Sequence, residues 1–318
     1  MVYDVFVPKK FLSPVGIDQE KPLEKYTFTA LKKRTYKGGQ ITIGKVYKTA
    51  DAFTSYIFSF VSDGKKVSGL MNVPYVSSSV PIIILVRGFV DKKMYAPGVG
   101  TARVGEALAS NGYITLAPDF LGYGTSDKPS FDPVEERFQT YTTMLNLLAS
   151  LNNLNQALSV IKDSPPANTE KVGIWGHSNG GHISLSVLAL SGQQFPTVLW
   201  APVSKPFPYS ILYYTDDITD HGKALRKEVA NFEKDYDIEE YSPPNFYAWI
   251  HAPIQLHQGM QDEAVPVSWS DNLYQQLKKL GISIEYFTYS GADHNLMPDG
   301  WGIAVARMLA FFQKELNQ

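Results

Sequence analysis

From residue 81 onward the sequence is a series of short apolar runs that do not alternate, most of them followed by a segment with helical spacing. PIIILV (81–86), YITLAP (113–118), KVGIW (171–175), TVLWA (197–201), PIQLH (253–257) and ISIEYFTY (282–289) are rich in branched residues. Strands of this kind are buried on both faces, and strands alternating with helices build a mostly parallel sheet with helices on both sides. Helices are expected near 100–110, from Asp132, from about Asn179, over Trp269, Leu273, Leu277 and Leu280, and through Phe311 and Phe312. Asp132 serves as N-cap, with Pro133 at the first helical position and Glu135 two residues on. Val134, Phe138, Tyr141, Leu145 and Leu148 then recur at helical spacing.

Ahead of residue 81 the pattern changes. TSYIFSFV (54–61) and KVSGLMNV (66–73) flank Ser62-Asp63-Gly64, which is a hairpin signal and predicts an antiparallel start to the sheet. Residues 1–50 read as an extension with one short helix, Pro22 to Arg34, wrapping a single domain over 51–318. The connection between TVLWA and PIQLH is too long for a plain loop, and about 202–250 reads as a helical cap inserted into that domain. There is no internal repeat and no low-complexity tract.

Composition narrows the function classes. A chain of 318 residues, 44% hydrophobic, can bury a large core. Its net charge of -2 offers no basic field for a polyanion, so nucleic acid is not an expected partner. No run is apolar over the roughly 18 residues of a membrane span. Met1 to Lys10 lacks a signal peptide's apolar block. With zero cysteines there is no disulfide, thiol nucleophile or cysteine metal site. His182, His221, His251 and His257 show no metal-ligand spacing. A soluble protein is expected, in the cytosol or secreted after loss of a signal; oligomeric state stays open.

The chemistry concentrates at strand ends, where ligands meet a parallel sheet. KVGIW runs into Gly176-His177-Ser178-Asn179-Gly180, which spells G-x-S-x-G between a strand and a helix. This is the context of a nucleophile elbow, with glycines where a Cβ would strike the neighbouring strand or helix. Ser178 is the candidate nucleophile. Such a serine needs a base held by a carboxylate. PIQLH opens into a loop carrying Asp262, the candidate acid, with Glu263 as competitor. ISIEYFTY ends in Ser290-Gly291-Ala292-Asp293-His294, and His294 is the candidate base. Adjacent Asp293 reads as a loop cap or a solvated charge, and His177 as structural. The oxyanion needs two backbone N–H groups. Asn179, at the helix start, supplies one. The other comes from LVRGFV, with Phe89 preferred over Val90.

Together, SDGKKVSGLMNVP (62–74), RGF (87–89), APDFLGYGTSD (117–127), GHSNGG (176–181), HQGMQDEAVP (257–266) and GADH (291–294) resemble the α/β-hydrolase superfamily. Within it, the chain resembles the prolyl oligopeptidase catalytic domain and dienelactone-hydrolase-like esterases, over about residues 50–318. The resemblance implies an α/β-hydrolase fold and serine hydrolysis through an acyl-enzyme, with no metal or organic cofactor. Its catalytic positions fall on Ser178, Asp262 and His294.

There are departures. Arg87-Gly88 stands where such enzymes commonly carry His-Gly; its guanidinium would either bind a substrate carboxylate or fix the loop. Gln258 stands where the acid loop often has histidine. The residues before the core are too few for a β-propeller, so dipeptidyl-peptidase specificity is not implied. In the cap, Phe207, Tyr209, Tyr213, Tyr214, Phe232, Tyr236 and Tyr241 either line a substrate pocket or glue the cap to the core. Tyr209 and Tyr213 are the substrate-binding candidates. The expected substrate is a carboxylic ester, including aryl or feruloyl-type esters. Small acyl-peptides are the rival substrate, and a non-catalytic binding protein is the rival class.

Overall fold

The computed structural model describes residues 21–216 and 219–316. Residues 1–20, which include the segment read for an export signal and much of the expected extension, lie outside the described residues. Nine strands form one sheet: β1 (Thr42–Thr49), β2 (Phe53–Ser62), β3 (Lys65–Pro74), β4 (Val80–Val86), β5 (Ile114–Pro118), β6 (Ala167–His177), β7 (Thr197–Trp200), β8 (Ile254–Gly259) and β9 (Ile284–Tyr289). Their spatial order is β1-β2-β3-β5-β4-β6-β7-β8-β9. The pairs from β1 to β5 are antiparallel and those from β5 onward are parallel. This is an open α/β-hydrolase sheet, and chain order reverses around β4, between β5 and β6. Such a reversal opens a crevice at the carboxyl ends of the strands.

The helices are α1 (Phe28–Lys33), α2 (Ala102–Ser110), α3 (Pro133–Ser150), α4 (Leu154–Leu158), α5 (Asn179–Ser191), α6 (Tyr209–Leu212), α7 (Lys223–Asp235), α8 (Val267–Lys279) and α9 (Trp301–Leu316). Strand β4 shows why its run does not alternate. Ile82, Ile84 and Val86 join the core beneath α3 and α5, while Ile83 and Leu85 join the core beneath α2 and α9. Both faces are covered, so both must be apolar. At the start of α3, Asp132 accepts hydrogen bonds from the amides of Val134 (2.8 Å) and Glu135 (3.3 Å), with Pro133 following. That satisfies two of the donors a helix start leaves free.

Two expectations need adjusting. The N-terminal segment holds a strand as well as a helix, since β1 pairs with β2 and forms the edge of the sheet. Val46, Tyr47 and the flanking lysines are exposed there, so β1 has no buried face to give it a signal. Leu280 lies past the end of α8 as its C-cap and is exposed, rather than sharing the buried face of Leu273 and Leu277. Among the described residues no helix is long and apolar enough to cross a membrane.

Three histidines are packed inside. His182 bonds Tyr141 Oη (2.8 Å) and the Val203 carbonyl (3.1 Å). His257 bonds Tyr289 Oη (2.7 Å) and Gln255 Oε1 (2.9 Å). Burial pushes His177 down to about 4 and His257 to about 3, and holds His182 well below the ordinary histidine range. The unfolded chain takes up protons on these rings near pH 6.5, while the folded chain resists until far lower pH. Their linked stability is therefore present above pH 6.5 and lost as pH falls toward 4 and below. Melting temperature should decline continuously between pH 6.5 and 4, and His257→Gln should flatten that decline. A melting temperature as high at pH 4.5 as at pH 7 would contradict neutral buried rings.

Candidate active site

Strand β6 ends at His177, and α5 begins at Asn179. Ser178 makes the turn alone, with φ 57° and ψ -121°. This is backbone space that a side-chain-bearing residue seldom occupies, and such strain persists only where the surroundings enforce it. Here they do. The Ser178 amide donates to the Trp200 carbonyl (2.9 Å), and the Ser178 carbonyl accepts from the Val203 amide (3.0 Å). A Cβ on Gly180 would strike the Val86 and Arg87 carbonyls at the end of β4, and one on Gly176 would strike Ser184 and Gly180. The two glycines let α5 close against both strands.

The end of β4 leads into Arg87-Gly88-Phe89. Gly88 packs so near the elbow that an added Cβ would lie 2.9 Å from Ser178 Cβ, which brings this loop beside the serine. Among the described residues, neither the Phe89 nor the Asn179 amide donates to a backbone carbonyl. Both are free for a ligand oxygen, with Asn179 at the positive end of the α5 dipole.

On the other side, His294 Nδ1 donates to Asp262 Oδ2 (2.8 Å). The same carboxylate accepts from Gln258 Nε2 (2.9 Å) and from the amides of Ala264 (2.9 Å) and Val265 (2.8 Å). Burial alone would push Asp262 up, but these donors together, led by His294, hold it below the usual carboxylate range. An ionised acceptor on Nδ1 keeps that proton in place and leaves Nε2 as the basic nitrogen. Loop geometry fixes the pair, since Gln261 N donates to the Ala292 carbonyl (2.9 Å). Glu263, the competitor, is exposed. Asp293 caps its own loop, accepting from the amides of Asn295 and Met297 (both 2.8 Å).

His294 sits against the elbow. The His177 ring lies 4.6 Å from the His294 ring, centroid to centroid, and His177 Nε2 bonds the His294 carbonyl (3.0 Å). Among the described residues, no hydrogen bond joins Ser178 Oγ to the imidazole. Such bonds are often long before substrate arrives.

Arg87 has two uses in view, and its geometry supports the structural one. Its buried guanidinium donates to the carbonyls of Gly88 (2.9 Å) and Asp119 (2.8 Å) and stacks on Tyr123, 4.0 Å from the ring centroid. The cap aromatics divide. Phe207, Phe232 and Tyr241 surround Phe138 of α3 with centroid distances of 5.0 to 6.0 Å, as glue. Tyr209 and Tyr213 stay 48% and 40% exposed and rest on Trp269, next to the acid loop. Two side chains have contacts that the sequence did not assign them. Gln258 holds the acid, and Arg137 of α3 donates to Asn179 Oδ1 (3.2 Å). In sequence Arg137 is one more polar residue on an amphipathic helix.

A cavity of about 250 Å³ opens beside Phe89 and Asn179. A second, of about 470 Å³, lies behind His177 and is walled by Trp175, Trp200 and Trp301.

Known proteins share this fold. YtmA of Bacillus subtilis (strain 168), named as an uncharacterized peptidase, is 24% identical over 249 residues, 76% of this chain and 87% of YtmA. Among solved structures, an acetyl xylan esterase from Paenibacillus sp. R4 superimposes with a TM-score of 0.65 at 17% identity, covering 90% of this chain and 92% of the esterase. The Pyrococcus horikoshii acylaminoacyl peptidase gives 0.59 at 24% identity, covering 85% of this chain but 43% of the peptidase. The model of the prolyl oligopeptidase family matches residues 105–318, more than half of the sequence, and the chain belongs to that family.

Proposed function

We propose that this protein hydrolyses carboxylic esters through an acyl-enzyme, with Ser178 as nucleophile, His294 as base and Asp262 as the acid that orients it. The observation that carries the reading is the hydrogen bond from His294 Nδ1 to a carboxylate held by three further donors, on a loop packed against the elbow that presents Ser178. In the first step Oγ attacks the ester carbon as Nε2 takes its proton. The carbonyl oxygen becomes an oxyanion received by the amides of Phe89 and Asn179. The C–O bond then breaks, and the alcohol leaves with the proton from Nε2. Water repeats the sequence on the acyl-enzyme, releasing the acid and restoring Ser178.

Overlap with an acetyl xylan esterase along 92% of its length supports ester substrates, among which aryl and feruloyl-type esters are included in this reading. The peptidase name of YtmA favours a second reading, cleavage of small acyl-peptides by the same residues. That reaction demands protonation of a poorer leaving group.

Hydrolysis of p-nitrophenyl esters, methyl ferulate and acyl-alanyl anilides is the direct test. Ser178→Ala should lower kcat on the esters by on the order of 10⁴-fold or more, and Asp262→Asn by about 10⁴-fold. Equal activity in wild type and Ser178→Ala would remove the serine mechanism, and an anilide rate above the ester rate would select the peptidase. Gln258→Leu takes one donor from the acid, so kcat should fall about tenfold with KM little changed. A KM effect alone would assign Gln258 to substrate contact instead.

A further inference from the structure

Beside the proposed oxyanion donors the protein buries a positive charge with two of its three nitrogens unpartnered. Arg137 Nη1 donates to Asn179 Oδ1 (3.2 Å); Nε and Nη2 have neither exposed surface nor a partner within 3.5 Å, and the nearby Tyr141 hydroxyl is the polar group that helps hold the charge. Among the described residues no carboxylate lies within ion-pair distance of this guanidinium. Glu136, the acidic residue on the same cavity wall, is paired with Lys92 at 3.0 Å. Keeping a cation buried without an anion is costly, and natural proteins pair such groups or use them.

The identity of the two idle donors matters. Nε–H and one Nη–H lie along a single edge of the planar guanidinium and point the same way. A carboxylate bridges that edge with two parallel hydrogen bonds. The third nitrogen, bonded to Asn179, holds the plane in place. The cap residue Tyr214 adds another buried hydroxyl with no partner, close enough to feel the Arg137 charge.

Arg137 lines the cavity of about 250 Å³ that Phe89 and Asn179 also line, and the remaining wall is largely apolar, with Phe120, Leu121, Ile183 and Ile211. Ser178, Asp262 and His294 do not line it, and Asn179 is the elbow residue in its wall. The leaving alcohol must stand next to His294, which returns its proton, so the group on the oxyanion-donor side is the acyl chain.

Building on the hydrolase reading above, we propose that this cavity is an acyl subsite for esters whose acyl group carries a free carboxylate, such as monoesters of short dicarboxylic acids. The carboxylate docks side-on against Nε and Nη2 of Arg137, an edge with no exposed surface in this structure that binding must uncover. The acyl methylenes lie along the apolar wall, and the ester carbonyl reaches Ser178. Hydrolysis releases the alcohol and the dicarboxylic acid, with water as the only co-substrate.

The test compares mono-p-nitrophenyl succinate, glutarate and adipate with the neutral p-nitrophenyl esters of equal carbon number, after subtraction of spontaneous cleavage. Wild type should favour at least one anionic ester by about tenfold in kcat/KM, and Arg137→Met should lower that anionic-to-neutral ratio by about 30-fold. Arg137→Lys, which keeps the charge but not the fork, should fall between. A wild-type ratio below one at all three lengths overturns the proposal. So does an equal fall on both ester types, which would make Arg137 a positioning residue acting through Asn179. Should Arg137→Met fail to fold, the wild-type ratio and competitive inhibition of butyrate ester hydrolysis by glutarate decide the matter, inhibition supporting the subsite and its absence overturning it. If wild type cleaves the neutral esters no faster than Ser178→Ala does, the hydrolase reading is what fails. Calorimetric titration of succinate, glutarate and adipate then tests the anion site separately: saturable binding lost in Arg137→Met upholds it, and no binding of any of the three removes it.

Discussion

Contact between the first turn of α5 and the end of β4 is the constraint on which the site depends. The Gly180 backbone approaches the Val86 and Arg87 carbonyls too closely to leave room for a Cβ. Because the helix comes in that far, the residue between β6 and α5 must turn within one position. Ser178 is forced to positive φ and held there from both sides by Trp200 and Val203. The same approach puts Gly88 against Ser178, so that the loop carrying Phe89 lies beside the elbow carrying Asn179. The reversal of strand order around β4 makes this geometry possible, since β4 and β6 are neighbours in space and far apart in sequence.

Electrostatics divides the site into two halves. On the β8 and β9 side, Asp262 is the ionised group, fixed by four donors and facing His294. The β4 and α3 side carries buried guanidinium groups, Arg87 beneath the oxyanion loop and Arg137 behind Asn179. An imidazolium formed at His294 is stabilised by the first half. An oxyanion formed near Phe89 and Asn179 feels the second, in a medium that screens less than water. In the proposed mechanism, charge separation during attack on an ester would run along a direction the protein has already polarised. His177, buried and neutral between Trp175 and His294, contributes shape to this boundary without competing for the proton.

Much of the fold was legible because its strands are buried on both faces. A run such as PIIILV has no other stable setting, and the loops at strand ends follow from it. The edge strand β1 was not legible, since its side chains are solvated and its register is set by β2. Ser178, Asp262 and His294 could be nominated from sequence because each stands at a strand end in a turn-forming context. Gln258 and Arg137 could not, for a different reason. Their importance comes from what another element brings to them: the carboxylate of a loop four residues on, and the first turn of a helix about forty residues away. Arg87 was visible, but its partner was not. Only the close passage of Asp119 past its guanidinium decides which use its geometry supports.

The cap is anchored unevenly, and this bears on where selectivity can reside. At its distal end, Phe207, Phe232 and Tyr241 enclose Phe138 in the main core. The N-terminal segment braces that end. Tyr241 Oη donates to the Leu23 carbonyl (3.2 Å), Tyr236 Oη accepts from the Leu23 amide (3.1 Å), and Phe28 stacks on Phe246 at 4.6 Å. At the end nearest the acid loop, Tyr209 and Tyr213 rest on Trp269 with much of their surface open, and α6 is a single turn. Local stability follows packing density, so the first end is the more firmly held of the two. The cavity beside Arg137 touches both ends, through Ile211 of α6 and Leu225 of α7. The size of this cavity is therefore set jointly by the less covered α6 and the core-anchored α7.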